Sequence, residues 1–262
     1  ADVILTGVAA SDNFGFSVST AGDVNGDGYS DMIAGATGND AGGTNAGRAY
    51  IYFGGSTMND IADVLLTGEA VSDGLGVSVS TAGDVNGDGF SDVIVGANLN
   101  DAGGADAGTA YIYFGGSSPD NTADLLLTGV VAGDRLGSSV STAGDVNGDG
   151  YSDVIVGAIF NDAGGSNAGR AFIFFGSSNL NNTPDFSLTG EAANDNFGSS
   201  VSLAGDMNGD GYSDIIVGAL ANDAGGTNAG RAYLFTNSMT GTDIADEIFT
   251  GATAGDNFGN AI

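Results

Sequence analysis

Short apolar runs of about five to seven residues alternate along this chain with clusters of Gly, Asn, Asp and Ser. In the first 68 residues the runs fall at 15–20, 31–36, 48–54 and 63–68. Each is rich in β-branched or aromatic residues, and each predicts a β-strand. The second run, Asp-Val-Ile-Val-Gly-Ala at 92–97 and 153–158, is apolar on both faces, as in a strand covered from both sides. In the third, Ala49, Ile51 and Phe53 point one way while Tyr50 and Tyr52 point the other, which leaves no face for water. No window sustains a helical period, and 48 glycines weigh against long helices.

The pattern returns in register every 61 residues. Phe14-Gly15, Leu75-Gly76, Leu136-Gly137, Phe197-Gly198 and Phe258-Gly259 form one column. Ala1-Asp2, Ala62-Asp63, Ala123-Asp124, Pro184-Asp185 and Ala245-Asp246 form another. Four periods take up 244 residues, and the last 18 repeat the register of the first 18. A strict period of this length marks units that stack or ring. Four-stranded sheets buried on both faces predict an all-β fold, a β-propeller whose blades are protected by their neighbours. A β-solenoid has shorter turns, and separate sandwiches would each need a core within 61 residues, near the lower limit for independent folding. The divisions expected are an orphan outer strand at 1–7, blades at 8–68, 69–129, 130–190 and 191–251, and the start of a fifth at 252–262. A closed ring of four would then hold one strand too many, so the pattern reads as a segment of a longer array.

Charge narrows the function. Thirty-three acids face four arginines, with no lysine or histidine, for a formal charge of −29. Nothing here neutralises phosphates, so nucleic acid is not an expected partner. No apolar run is long enough to predict direct membrane insertion. The absence of cysteine suits secreted bacterial or archaeal proteins that are braced by metal instead of disulfides. An extracellular or cell-surface setting, with millimolar calcium, is therefore expected.

Twelve of the acids sit in four copies of one nine-residue loop. In the first, Asp23, Asn25 and Asp27 fall at alternate residues, where a curled backbone turns their oxygens inward. Tyr29 offers its carbonyl, and Asp31 closes the set. The equivalents are Asp84, Asn86, Asp88, Phe90 and Asp92; Asp145, Asn147, Asp149, Tyr151 and Asp153; and Asp206, Asn208, Asp210, Tyr212 and Asp214. Five or more hard oxygen donors favour Ca2+ over Mg2+, one ion per repeat and four in all. Zinc and copper lack their thiolate or imidazole ligands. An EF-hand would place Glu at the loop's twelfth position between helices, where this chain has Ala34, Val95, Val156 and Val217 in strands. The plain alternative is a set of Asx turns, with the repeated carboxylates left to repel one another.

The unit Phe-Gly…Gly-Asp-Val-Asn-Gly-Asp-Gly-Tyr-Ser-Asp…Gly-Arg-Ala-Tyr resembles the FG-GAP repeat of integrin α-subunit β-propellers over essentially the whole chain. The resemblance implies a seven-bladed propeller with calcium loops joining the first two strands of each blade, and ligands on the opposite face. The loop positions named above match the family's ion ligands. The family's Gly-Ala-Pro stands here as Gly35-Ala36-Thr37, Gly96-Ala97-Asn98, Gly157-Ala158-Ile159 and Gly218-Ala219-Leu220.

Other columns have simpler readings. Asp40, Asp101, Asp162 and Asp223 lie in glycine-rich loops between the second and third strands. They order their own backbone, pair with Arg48, Arg170 or Arg231, or hold a second ion or a sugar hydroxyl. The column of Asp12, Asp73, Asp134, Asp195 and Asp256 caps a turn or meets a neighbouring blade, and the aromatic columns read as blade-to-blade core. Without His or Cys, and with every acid repeated in each unit, no catalytic constellation stands out. Three functions remain: a scaffold that binds a protein or glycan, a building block that pairs with copies of itself through terminal strands, and a lectin or accessory domain of a polysaccharide-active enzyme.

Overall fold

The computed structural model describes residues 3–236 and 244–262. Among the described residues sixteen strands form four antiparallel sheets, each of four strands taken in chain order. The first blade holds β1 (Phe14–Gly22), β2 (Asp31–Ala36), β3 (Arg48–Tyr52) and β4 (Val64–Thr67). The second holds β5 (Ser78–Gly83), β6 (Asp92–Ala97), β7 (Thr109–Tyr113) and β8 (Leu125–Thr128). The third holds β9 (Leu136–Gly144), β10 (Asp153–Ala158), β11 (Arg170–Phe174) and β12 (Phe186–Thr189). The fourth holds β13 (Phe197–Gly205), β14 (Asp214–Ala219), β15 (Arg231–Phe235) and β16 (Glu247–Thr250). These are the blades of a β-propeller.

Alternation along the strands gives each blade two apolar faces. The trailing face of the first blade (Ile33, Ala49, Ile51, Val64, Leu66) packs with the leading face of the second (Leu75, Val79, Val93, Val95, Tyr111, Tyr113) in one buried cluster. The same arrangement joins the second blade to the third and the third to the fourth. The Phe/Leu and Tyr columns are therefore inter-blade core, as the pattern predicts.

Backbone contacts lock the interfaces. Parallel bridges join Gly47 to Leu75, Gly108 to Leu136 and Gly169 to Phe197. Ser17 Oγ donates to the Gly76 carbonyl at 2.7 Å, and Ser78 and Ser139 do the same one and two blades on, at 2.8 Å.

The strand expected at 31–36 falls there, those expected at 15–20 and 63–68 run Phe14–Gly22 and Val64–Thr67, and two further differences have a physical cause. The third strand ends at Tyr52 instead of Gly54 because carboxylates take the next two N–H groups out of the ladder. Phe53 N–H donates to Asp63 and Gly54 N–H to Asp31, both at 2.7 Å. Residues 3–7 form no strand, although 2–7 carry the pattern of one; Asp2 lies outside the described residues. Among the described residues β15, the strand on which an outer strand of the fourth blade would lie, is already paired with β16.

Candidate metal centres

The antiparallel order places the four Asp-rich loops, each between the first two strands of a blade, at one end of the sheets. The glycine-rich loops between the second and third strands lie at the other end. In the first Asp-rich loop the Asp23 carboxylate gathers three backbone donors: Gly26 N–H at 2.8 Å, Asp27 N–H at 3.1 Å and Gly28 N–H at 2.9 Å. Asn25 Oδ1 accepts from Asp27 N–H and Asp27 Oδ1 from Tyr29 N–H, both at 2.9 Å. Gly26 and Gly28 adopt φ of 74° and 87°, which lets the backbone curl this tightly. Asp31 is buried at 3% exposure, clamped by Val24 N–H on one oxygen and Gly54 N–H on the other, both at 2.7 Å.

The other loops repeat this network. Asp84 takes Gly87, Asp88 and Gly89; Asp145 takes Gly148, Asp149 and Gly150; Asp206 takes Gly209, Asp210 and Gly211. Asn86, Asn147 and Asn208 stand as Asn25 does, each donating Nδ2 to the carboxylate two residues on. Phe90, Tyr151 and Tyr212 donate their N–H to Asp88, Asp149 and Asp210. Asp92 and Asp153 are fully buried and clamped by two N–H groups each. Asp214 takes Met207 N–H at 2.6 Å, and its other oxygen, Oδ1, has no partner among the described residues; the position equivalent to Gly54 is 237, outside them.

Every predicted ligand residue is thus brought to its loop, with the backbone supplying the first set of contacts. Among the described residues no three acidic side chains already converge as a cage. The donors nevertheless fit a hard dication. All are oxygens, and an oxygen that accepts one N–H keeps a further lone pair.

Electrostatics point the same way. Burial pushes the carboxyls of Asp92 and Asp153 up to about 7, opposed by their backbone hydrogen bonds and reinforced by the two nearby loop aspartates. Asp31 and Asp214 are also raised, chiefly by desolvation. A folded-state value above the unfolded one means that the folded chain holds protons that the unfolded chain has released. Metal-stripped protein is therefore expected to lose stability as pH rises from about 4 to about 7, and to level off beyond. Urea midpoints across that range check this, and Asp92→Asn should flatten part of the slope. An unchanged slope in that variant would show that Asp92 does not carry the effect.

At the opposite end, Asp40 Oδ1 accepts from Asn45 N–H at 2.8 Å, and Asp101, Asp162 and Asp223 repeat the bond. These aspartates order their own loops. The arginines instead reach threonines: Arg48 to Thr67, Arg170 to Thr189 and Arg231 to Thr250. Among the described residues the one ion pair is Arg231 with Glu191, at 2.7 Å.

Asp12 bonds within its own blade. Asn39 Nδ2 donates to it at 2.7 Å and to the Tyr50 hydroxyl at 3.3 Å, and Asp73–Asn100–Tyr111 and Asp195–Asn222–Tyr233 repeat the group. Sequence reasoning noted the Asp63 column without a role. Its members take the N–H groups of Phe53, Phe114, Phe175 and Thr236, and so end the third strands. The signal was an acid ten residues beyond that N–H in every unit.

Four-stranded blades with an oxygen-rich loop joining the first two strands of each define a loop-bearing β-propeller. The sequence model of the FG-GAP repeat matches residues 14–52, 75–113, 136–174 and 197–235, more than half of the chain. The chain belongs to the FG-GAP repeat family. Integrin alpha-5 of Xenopus laevis is 31% identical over 239 residues, 86% of this chain and 21% of the relative. Integrin alpha-8 of Gallus gallus is 33% identical over 248 residues, 88% of this chain and 22% of the relative. Integrin alpha-PS5 of Drosophila melanogaster is 35% identical over 190 residues, 69% and 18% respectively. The chain spans about a fifth of the length of these relatives.

Proposed function

We propose that this chain is an extracellular or cell-surface recognition scaffold whose blades are braced by one calcium ion in each Asp-rich loop. The observation that carries the reading is the fourfold repetition of one loop network around a buried carboxylate, at Asp31, Asp92, Asp153 and Asp214. The residues that hold the ion are the three aspartates and the asparagine of each loop, with the carbonyl of Tyr29, Phe90, Tyr151 or Tyr212. When bound, calcium supplies the countercharge that these carboxylates otherwise lack. The loops tie the first strand of each blade to the second, and those of the first three blades also touch the next, since the N–H groups of Ser91, Ser152 and Ser213 donate to the carbonyls of Asp23, Asp84 and Asp145 at 2.9–3.0 Å. Bracing a loop therefore braces an interface.

The role is recognition and not catalysis: the acids repeat in every blade, and none is set apart as a reacting pair. Integrin alpha subunits among the relatives favour a protein as the bound partner, and a glycan is the second class. Among the described residues no helix is long and apolar enough to cross a membrane.

The test is Asp88→Ala. By titration calorimetry it is expected to bind one calcium ion fewer than the parent chain while its other loops keep their affinity. An unchanged stoichiometry would remove Asp88 from the ligand set and overturn the assignment of this loop.

A further inference from the structure

The crevice between the second and third blades departs from the repeat. It is a cavity of about 190 Å3, walled by Val130, Val131, Leu136, Phe172, Phe174 and Pro184, with Arg170 also lining it. About 150 Å3 is enough to admit a benzene ring, so the space takes a small organic molecule. Phe172 stands where the other blades have Tyr50, Tyr111 and Tyr233, and Phe174 where the first two have Tyr52 and Tyr113. Val130 stands where the crevices on either side have Glu69 and Glu191. Two hydroxyls and a carboxylate are thus missing from one place. Phe172 is also partly exposed, whereas the three equivalent tyrosines are at most 4% exposed.

The next crevice shows what the missing carboxylate does. There Glu191, in the loop after β12, accepts on Oε2 from Arg231 Nη1 at 2.7 Å. Arg170 holds the same position one blade earlier, with Val130 in place of the glutamate. Among the described residues no carboxylate forms an ion pair with Arg170. The second blade has the reverse arrangement: Glu69 is kept, and Thr109 replaces the arginine. The fold therefore accommodates the loss of either partner.

Arg170 is nonetheless fixed in place. Its Nε donates to Thr189 at 3.2 Å and its Nη2 to Ser187 at 3.0 Å, and its guanidinium carbon lies 5.3 Å from the centre of the Phe172 ring. Ser187 is particular to this blade, since its equivalents are Leu65, Leu126 and Ile248. These bonds leave Nη1, the atom that holds the glutamate in the fourth blade, without a partner among the described residues. The guanidinium has five N–H groups in all, so donors remain to meet an anion.

We propose that this crevice binds a small monocarboxylate with an apolar body. The carboxylate takes the glutamate's place on Arg170 Nη1, and the body lies against Val130, Val131, Leu136 and Phe174. A held guanidinium beside an apolar wall gives such a ligand charge-assisted hydrogen bonds at one end and burial at the other. Asp134 also lines the crevice, where it accepts from Asn161, and it does not forbid an anion. Its equivalent Asp195 already stands within the influence of Glu191 in the fourth blade. The site lies between two interior blades and uses no residue of the Asp-rich loops.

The experiment is titration of hexanoate into the full chain in millimolar calcium, followed by methyl NMR. Saturable shifts are expected at the methyl groups of Val131 and Leu136. Hexanol, with the same tail and no charge, should bind about tenfold more weakly. Arg170→Thr, the residue that the second blade carries at 109, should weaken hexanoate by a similar factor. Val130→Glu, the residue that the fourth blade carries at 191, should do the same by giving Arg170 an internal carboxylate. Val130→Thr, close in shape and uncharged, should bind as the parent does. Val130 is 85% exposed, so these last two variants test the site even if Arg170→Thr fails to fold. N-acetyl-leucine, which mimics the carboxyl end of a protein, is titrated alongside. Binding of either acid supports the site, and the tighter of the two shows whether it takes free acids or chain ends. No saturable shift with either, equal affinity for hexanol, or undiminished binding in Val130→Glu overturns the proposal. Shifts confined to the Asp-rich loops would report calcium chelation and overturn it as well.

Discussion

Stripping calcium from the chain is expected to lower its melting temperature by on the order of 20 °C. A site held at about one hundred times its dissociation constant stabilises the folded state by about 2.7 kcal/mol. Four such sites sum to about 11 kcal/mol, and in a chain of this size each kcal/mol moves the melting point by about 2–4 °C. The full sum overstates the shift where blades unfold piecemeal, since repeat arrays divide their stability among units and interfaces. The direction is set by the carboxylates. Asp92 and Asp153 are buried beside further loop aspartates, and their raised values record how unfavourable the ionised, metal-free loop is. Calorimetry in calcium and in chelator at pH 7.5 checks this. Magnesium should restore only part of the loss, because it demands octahedral geometry and retains its waters. Equal melting points with and without calcium would mean that the backbone donors alone suffice to hold the loops.

The second large effect concerns a glycine with ordinary backbone angles. Gly157→Ala is expected to destabilise the array by about 3 kcal/mol, the upper part of the range for overpacking. A Cβ at Gly157 would stand 2.1 Å from the carbonyl oxygen of Gly198 in the next blade and 2.3 Å from Ser139 Oγ. The nearer atom is backbone, so relief requires the third and fourth blades to move apart, and the Ser139–Gly198 hydrogen bond breaks with them. Gly35, Gly96 and Gly218 face the same clash, which explains why each unit keeps glycine inside its most buried strand. Gly55→Ala is the matched control: it is exposed, and the added Cβ would meet only one atom, at 4.0 Å. Urea unfolding should separate the two by several kcal/mol on this scale. Similar midpoints would show that the blades can re-space without loss.

Much of this was legible in the sequence because 61-residue repetition turns a weak strand pattern into a strong one. The alternation of Ala49, Ile51 and Phe53 against Tyr50 and Tyr52 foretold two buried faces, and the inter-blade clusters divide along that line. The Asp-rich loops themselves were legible from spacing. The partner of each carboxylate was not. The Asp31 carboxylate accepts from Gly54, 23 residues on, and the Asp23 backbone N–H donates to the Ser91 hydroxyl in the next blade, 68 residues away. Such pairings depend on how sheets stack, which a local pattern does not encode. The segment at 2–7 reads as a strand for the same reason: the pattern records which residues suit a strand, but not whether a neighbouring edge is free.

The central claim is that each Asp-rich loop holds one cation, and the most direct test is the calcium content of the purified chain. Protein equilibrated by dialysis against micromolar to millimolar calcium would be assayed for bound metal by elemental analysis. The account predicts saturation at four ions per chain, one for each of Asp31, Asp92, Asp153 and Asp214. A chain that remains metal-free across that range would reduce the loops to hydrogen-bonded Asx turns and contradict the account.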